Sequence, residues 1–532
     1  MTTLDFLLVT SSLCPQRTAV VFEGKRVSYA TLENRSRRLA NALRGLGVGP
    51  GDRVATIQTN CPQVLEAYYA TALLGGVFAP LNFRTRQEEL AYLLQHSEAR
   101  VLLLGERYGE LVNSVVPQAT GLKHRICLDK PLPGMLYYED LVFLSPEAEA
   151  HPGPDEKDVT LLLYTAGTTG RPKGVPLTHD SFATYMTGNV NPAEPEPARV
   201  EANLLSVPLY HVAGFQAMLA AIYGGRTLVI MGAFEAEDWL RTVQEERVSR
   251  AMLVPTMLKR ILDHPHFSRY DLSSLQLVTY GAASMPLEVI RQAIQRLPEV
   301  KFINAFGQTE TSSTILALGP EDHQLTGSPQ EIEKKLQRLA SSIGRPLPGV
   351  EVVVLDEHGH SLPPGHVGEI CARGPRVMAG YWKDPEKTAR QMTATGWLRT
   401  GDLGRQDEEG YFYLAGRGDD MIIRGGENIS PEEVEQALQA HPRVEEAAVI
   451  GVPDPEWGQQ PRAVVVLKPG PPPAEAELIE FCRGRLSSFK CPRSVIFVPS
   501  LPRNPLGKVL RKALREQHGS PPGQELKGIA RP

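Results

Sequence analysis

A short apolar run, Leu161 to Tyr164, leads into the segment T-A-G-T-T-G-R-P-K-G, Thr165 to Gly174. The run has the length and composition of a buried strand. The loop after it is built of Gly, Thr and Ala and closes on a lone lysine, Lys173. Gly167 and Gly170 permit positive φ and close approach, so the backbone N–H groups around Ala166 can fold about phosphate oxygens. Thr165, Thr168 and Thr169 add hydroxyl donors, and Lys173 adds a point charge. A Walker loop is excluded. That pattern sets Gly before Lys and Ser or Thr after it, whereas Pro172 precedes Lys173 and Gly174 follows it. On composition alone the loop reads equally well as an ordinary turn.

Strand and helix alternate on both sides of this segment, which predicts an α/β fold with largely parallel sheets. Val20–Phe22 and Arg26–Tyr29 read as a hairpin, and Thr31 as the cap of a helix that ends at Gly47 and Gly49. Val54–Ile57, a helix opened by Pro62, Val77–Pro80, Gln87–His96 and Val101–Leu104 continue the pattern. Leu204–Val207, Thr227–Ile230, Ala251–Val254, Leu275–Gly281 and Lys301–Phe306 read as strands, with helices at Phe215–Tyr223 and Ala236–Glu246. Ligands of open α/β sheets bind at the carboxyl ends of such strands.

The polar stretch Gly319–Ser342, with a charged helix-like piece around Glu331–Leu339, reads as a surface insertion. Beyond Val350 short β segments suggest a smaller β subdomain completing the large domain. A boundary falls near Gly416–Asp420, followed by a compact βαβ-like module. Its first helix carries a strong start signal, with Ser430 as cap, Pro431 at the first turn and Glu433 three residues after the cap. The expected organisation is a large N-terminal domain over 1–418, a small mobile α+β domain over 419–515 and a flexible tail over 516–532.

The formal charge of −5 argues against nucleic acid as a partner, and no dense basic run is present. The six cysteines show no CxxC and no Cys/His cluster, so free thiols in a reducing compartment are expected, with a Cys482–Cys491 redox pair as the lesser alternative. The N-terminus lacks the charged and apolar regions of a signal peptide. The longest apolar stretch, Val207–Tyr223, is broken by Pro208, His211 and Gln216 and falls short of a transmembrane span. Ile529–Pro532 is not a peroxisomal signal. A cytoplasmic protein is expected.

Four more segments join the Thr165–Gly174 loop: F-G-Q-T-E at Phe306–Glu310, R-T-G-D-L at Arg399–Leu403, G-R-G-D-D-M-I-I-R-G-G-E-N-I at Gly416–Ile429 and P-L-G-K at Pro505–Lys508. Together, and in this order, they resemble the adenylate-forming enzymes: acyl-CoA synthetases, luciferases and peptide-synthetase adenylation domains. The resemblance spans nearly the whole chain and is strongest to AMP-forming acyl-CoA synthetases. It implies the reaction acid + ATP + CoA → acyl-CoA + AMP + pyrophosphate, with ATP, Mg²⁺ and coenzyme A as cofactors.

The resemblance also implies roles. Thr165–Lys173 is the phosphate cradle, with Thr168 counted among the catalytic residues. Glu310 holds Mg²⁺, which needs only one or two carboxylates besides phosphate oxygens, and Thr309 holds the α-phosphate. Read alone, Gln308–Glu310 would be a helix start capped by Thr309. Adenine lies between Gly281-Ala282-Ala283 and Asn304-Ala305-Phe306-Gly307. Asp402 binds the ribose hydroxyls and Arg417 approaches the same sugar. Lys508 is the cation that offsets repulsion between carboxylate and α-phosphate.

For thioester formation the resemblance implies a passage at Gly425 and Gly426 with Glu427 near its end. Trp457, Phe489 and Arg493 belong to the CoA site, and Cys491 stands where a basic residue is frequent. Asp419 is the implied hinge, since Lys508 and Gly425–Glu427 serve consecutive steps from one domain. His211, Val212, Phe215, Met252, Thr256 and Ser312 are the expected acyl pocket, His211 as wall rather than base. These six include no Arg or Lys, so a monocarboxylic, largely apolar acid is expected, fatty acids first and aryl acids next. Two alternatives remain: an enzyme that stops at the adenylate or loads a carrier protein, and a nucleotide-binding protein without catalysis. A homodimer is compatible with the sequence but nothing in it demands one.

Overall fold

The structure is a computed structural model. It describes residues 1–147, 153–165, 171–417, 420–424, 427–454, 457–486, 488–503 and 509–519, with backbone alone at 416, 417, 423, 427 and 428.

Three sheets carry the chain. A seven-stranded sheet runs in the order Leu136–Tyr137, His124–Cys127, Ala99–Leu104, Arg53–Ile57, Val77–Pro80, Val159–Thr165, Lys173–Thr178. Every pairing in it is parallel except the last, where Val159–Thr165 and Lys173–Thr178 form an antiparallel hairpin. The second sheet has thirteen strands. Its parallel centre includes Ala202–Leu205, Arg250–Leu253, Leu277–Gly281 and Lys301–Gln308. It then turns antiparallel through Ser313–Leu318 and Ser342–Pro346 to Phe412–Arg417, Leu398–Gln406, Gly368–Arg373 and Glu351–Leu355. The expected β subdomain is therefore an extension of the second sheet. A third sheet of five strands forms the C-terminal unit.

The largest apolar core lies under the first two sheets and includes Tyr68, Phe78, Phe182 and Phe215, all fully enclosed. Tyr68 meets Phe215 edge to face at 4.7 Å and 85°. Aromatic pairs of this geometry add about 0.5–1.5 kcal/mol beyond the area they bury.

Several expectations are corrected in detail. The helix Tyr29–Gly45 is capped by Ser28, whose hydroxyl accepts from the Thr31 N–H at 3.2 Å, so Thr31 lies inside it. Gly319–Ser342 is more than a surface insertion. Helix Pro329–Ser341 covers the expected helix-like piece, but Pro320–His323 is helical as well, and Asp322 and His323 are buried. Arg338 pairs with Asp322 at 2.9 Å, and the Tyr411 hydroxyl donates to the same carboxylate at 3.1 Å. Tyr280 and His323 share a hydrogen bond of 2.9 Å, which braces the residue just before Gly281.

In the C-terminal unit Val444–Asp454 and Gly458–Leu467 form a long antiparallel hairpin. Among the described residues of this unit, only the crossover from Gly458–Leu467 through helix Glu475–Arg483 to Ser494–Phe497 is parallel. Ser430 does cap helix Pro431–Gln439, with its hydroxyl accepting from the Glu433 N–H at 3.4 Å. The Glu433 carboxylate is engaged elsewhere, with Lys490 at 2.8 Å. The helix Arg511–His518 runs past residue 515, where the tail was expected to begin.

All six cysteines are free and buried. Cys482 and Cys491 belong to the apolar core of the C-terminal unit. Among the described residues no helix is long and apolar enough to cross a membrane.

Candidate active site

The hairpin Val159–Thr165/Lys173–Thr178 sets Thr165 directly opposite Lys173, so these two residues bracket the Gly/Thr loop. Ala166, Gly167, Thr168, Thr169 and Gly170 lie outside the described residues, as do Asp419, Gly425, Gly426 and Lys508. The Nζ of Lys173 lies 4.9 Å from the centroid of the Tyr381 ring. The Tyr381 hydroxyl donates to Glu310 Oε1 at 2.9 Å. Burial and the neighbouring Glu310 both push the Tyr381 phenol above its usual range, so it stays protonated and a donor. The Glu310 carbonyl accepts from the Met378 N–H at 2.9 Å, and Trp382 N–H donates to the Gly174 carbonyl at 2.8 Å. The segment Met378–Trp382 thus clamps the Lys173 strand to the Glu310 loop.

Glu310 lies in a short 3-10 turn, Thr309–Thr311, with Gln308 as its N-cap, so Thr309 is not the cap. The Gln308 side chain donates to the Thr400 carbonyl at 3.1 Å, which ties this loop to Thr400–Asp402. Asp402 is buried, its N–H donates to Thr400 Oγ1 at 3.1 Å, and it faces Arg417 across the antiparallel pair. Gly281 faces Ala305 across a parallel pair. A Cβ on Gly281 would sit well inside contact distance of the Ala305 carbonyl, and Ala282 after it has φ 67°. The two strand ends are therefore pressed together with exposed Ala282, half-buried Ala283 and half-buried Asn304, Ala305, Phe306 and Gly307 at their carboxyl edge. Phe306 also packs on the cluster around Ile315 and Leu316.

His211 is the N-cap of helix Val212–Tyr223, and its ring lies against Tyr210, the centroids 4.1 Å apart and the planes tilted by 46°. Burial, with the Arg84 charge nearby, pushes its pKa down to about 3. A neutral imidazole whose Nε2 has no partner among the described residues fits a pocket wall. Close packing sets this corner: a Cβ on Gly214 would collide with the Pro208 carbonyl. Ser312, at φ 51°, is enclosed, its hydroxyl has no partner among the described residues, and the Thr314 N–H donates to Gln216 Oε1 at 3.5 Å. Met252 and Thr256 are half-buried at and just after the end of strand Arg250–Leu253. Phe215 is a correction. Its ring is enclosed among Tyr68, Phe78 and Phe182, so it packs core rather than substrate.

At the C-terminal unit Trp457 is exposed, with the Arg424 guanidinium carbon 5.5 Å from its ring. Arg424 also donates to the Phe489 carbonyl at 3.0 Å, joining two residues expected at the CoA site. Arg493 is exposed and Cys491 is buried, so Cys491 is a core residue rather than a lost cation. Glu427 and Arg417 are strand residues. Asp420, beside the expected hinge, pairs with Arg515 and, at 3.5 Å, with Arg511. Arg511 also pairs with Glu432 at 3.0 Å and Glu435 at 2.8 Å.

Tyr381 has no place in the sequence reading, and Gln308 and Arg424 stand there only inside longer segments, without a binding role. The only signal for Tyr381 was an aromatic pair after Gly380, which many loops share. Among the described residues no group of three or more His, Cys, Asp or Glu could hold a metal. The buried carboxylate of Glu310, linked through Tyr381 to the hairpin that brackets the Gly/Thr loop, fits Mg²⁺, which takes few protein ligands when phosphate oxygens complete its shell.

Residues 10–382 match the AMP-binding enzyme family, and residues 433–508 match the AMP-binding enzyme C-terminal domain. A feruloyl-CoA synthase of Amycolatopsis sp is 37% identical over 516 residues, covering 95% of this chain and 97% of that protein. A fatty acid–[acyl-carrier-protein] ligase, ScoC of Streptomyces coeruleorubidus, is 34% identical over 510 residues, covering 94% of each. The crystal structure of the anthranilate CoA ligase AuaEII in complex with anthranoyl-AMP superposes with a TM-score of 0.87 at 28% identity, covering 97% of each chain. The chain belongs to the AMP-binding enzyme family of the adenylate-forming superfamily and is an AMP-forming acyl-CoA ligase that uses ATP, Mg²⁺ and coenzyme A.

Proposed function

We propose that this ligase activates a carboxylic acid with a largely apolar body, fatty or aryl, through an acyl-adenylate, and passes the acyl group to the thiol of coenzyme A. The observation that carries this reading is the linked set Lys173–Tyr381–Glu310, held against the Thr400–Asp402 loop by Gln308. It supplies a cation and a carboxylate beside the phosphate hairpin and a buried acid where a ribose would lie. The pocket side, with neutral His211, Val212, Met252 and enclosed Ser312, suits an apolar body. The relatives' names point to both aryl and fatty acids.

In this reading Lys173 and the Thr165–Gly170 loop hold the outer phosphates, Asp402 and Arg417 hold the ribose, and Lys508 lies between carboxylate and α-phosphate. Glu310 and Thr309 are the residues to hold Mg²⁺ and the α-phosphate, and the bound ion supplies charge neutralisation at the phosphate oxygens. Asp419 is the pivot between the two half-reactions. Six buried thiols suit a reducing, cytoplasmic setting.

The test separates the half-reactions. Lys508→Ala should lower acid-dependent pyrophosphate release by about two to three orders of magnitude, the scale of one transition-state electrostatic contact. It should still convert synthetic acyl-AMP and CoA. Equal loss in both steps would show that Lys508 does not act as assigned.

A further inference from the structure

Arg376 lies in the loop after strand Gly368–Arg373, five residues before Tyr381. It is fully enclosed, at 0% exposure. None of its three guanidinium nitrogens has a hydrogen-bond partner among the described residues. Its guanidinium carbon lies 4.8 Å from the centroid of the Tyr185 ring. No carboxylate is among the groups that act on its charge; burial lowers its pKa to about 10, with Tyr185 the one opposing influence. It is therefore a charged guanidinium at neutral pH, with a single aromatic face for compensation. A cation–π contact returns only part of what an enclosed ion loses by leaving water. Charged side chains are otherwise rarely fully buried without a partner.

Its position links it to the expected acyl pocket. Tyr185 interacts with the Gln216 side chain. Gln216 lies one helical turn beyond Val212 and accepts from the Thr314 N–H at 3.5 Å, two residues after Ser312. Arg376 is two residues before Met378, whose N–H holds the Glu310 carbonyl at 2.9 Å. The Ser312 hydroxyl, also buried, has no partner among the described residues. Arg376 thus stands at the end of a polar line, Thr314–Gln216–Tyr185, in which Gln216 shares a helix with Val212 and Thr314 lies in the strand that starts just after Ser312.

We propose that Arg376 is a specificity-determining residue that binds an acceptor oxygen, best a carboxylate, at the end of the acyl substrate remote from the carboxyl group being activated. This rests on the reading above that the Val212 and Ser312 side receives the acyl group. It replaces the strictly monocarboxylic expectation with an acid that is apolar in its body and oxygenated at its far end. Tyr185 is half-buried and its ring faces the guanidinium, so an acid that reaches Arg376 has to pass beside this ring. Two parallel N–H···O bonds from a guanidinium to a carboxylate would supply the missing partners.

The test uses the full chain and paired acids of equal carbon number, C6 to C12. Each plain acid is compared with its ω-hydroxy and ω-carboxy counterparts, and acid-dependent AMP release is read as kcat/KM. The wild-type protein should favour the ω-oxygenated acid at least about tenfold at one chain length. Arg376→Met should lower kcat/KM for that acid at least about tenfold, leave the plain acid unchanged or better, and keep the melting temperature. Arg376→Lys, which keeps the charge, should retain part of the preference. A wild-type protein that never favours the ω-oxygenated partner overturns the proposal with no variant needed. So does an Arg376→Met protein that loses all acids equally. If no acid of any kind supports AMP release by the wild type, it is the proposed function that fails.

Discussion

The Tyr381 hydroxyl donates to Glu310 Oε1 at 2.9 Å while the ring of the same residue faces Lys173, whose Nζ lies 4.9 Å from its centroid. One side chain therefore sets the position of both the candidate metal carboxylate and the candidate phosphate lysine. Tyr381→Phe keeps the ring under Lys173 and frees Glu310 from its hydrogen bond. A lost hydrogen bond to a charged group is worth about 1.5–3 kcal/mol, so pyrophosphate exchange should fall by one to two orders of magnitude and need more Mg²⁺. A wild-type Mg²⁺ titration from the mutant would mean that Tyr381 does not orient Glu310.

Glu310→Gln tests the carboxylate itself. The Glu310 backbone contact to Met378 does not depend on the charge, so the protein should fold normally. Adenylation should slow and its Mg²⁺ titration should move to higher concentration, because an amide is a poorer ligand for a hard cation than a carboxylate. The check is initial rate against Mg²⁺ concentration alongside a melting curve.

Acid should destabilise the protein through buried histidines. Burial holds His211 at about 3, and His179 and His323 at about 4. An unfolded histidine titrates near 6.5. Below that pH the unfolded chain binds protons that the folded chain refuses. The stability these residues contribute is complete above about 6.5 and is lost as pH falls toward 4 and then 3, at up to about 1.4 kcal/mol per pH unit for each residue. Denaturant midpoints from pH 8 to 4 should fall, and less steeply in His323→Phe. Midpoints that rise on acidification would contradict the assignment.

Asp420 ties the expected hinge to the helix Arg511–His518, which follows directly on the segment assigned to Lys508. Asp420→Asn leaves Arg511 with Glu432 and Glu435 but removes one partner of a largely buried network. Breaking such a pair costs up to about 3–5 kcal/mol. Amide exchange in the C-terminal unit should quicken while the N-terminal sheets keep wild-type protection. Uniform change across the chain would argue that the network does not act locally.

Much of this arrangement is legible in the sequence because it follows from short-range rules. The apolar run Leu161–Tyr164, the Pro62 helix start and the Ser430–Pro431 cap each report local structure, and all three appear where expected. The errors arise where tertiary contacts decide. Val212 and Phe215 are three apart on one helix, yet the Phe215 ring turns into the aromatic core. The polar composition of Gly319–Ser342 hides Asp322 and His323, whose burial depends on Arg338, Tyr411 and Tyr280, the last two far off in sequence. Tyr381 and Arg376 lie in a loop without periodicity, and their meaning appears only when the loop packs against Glu310 and Tyr185.

The most direct measurement is a single turnover with the intermediate isolated. The protein is mixed with ATP, Mg²⁺ and a permissive acid but no CoA, desalted, and the bound species identified by mass. The account predicts acyl-AMP with one pyrophosphate released, and, on adding CoA, equal amounts of AMP and acyl-CoA. Release of ADP and phosphate in place of AMP and pyrophosphate, or an acyl-AMP that CoA leaves untouched, would contradict it.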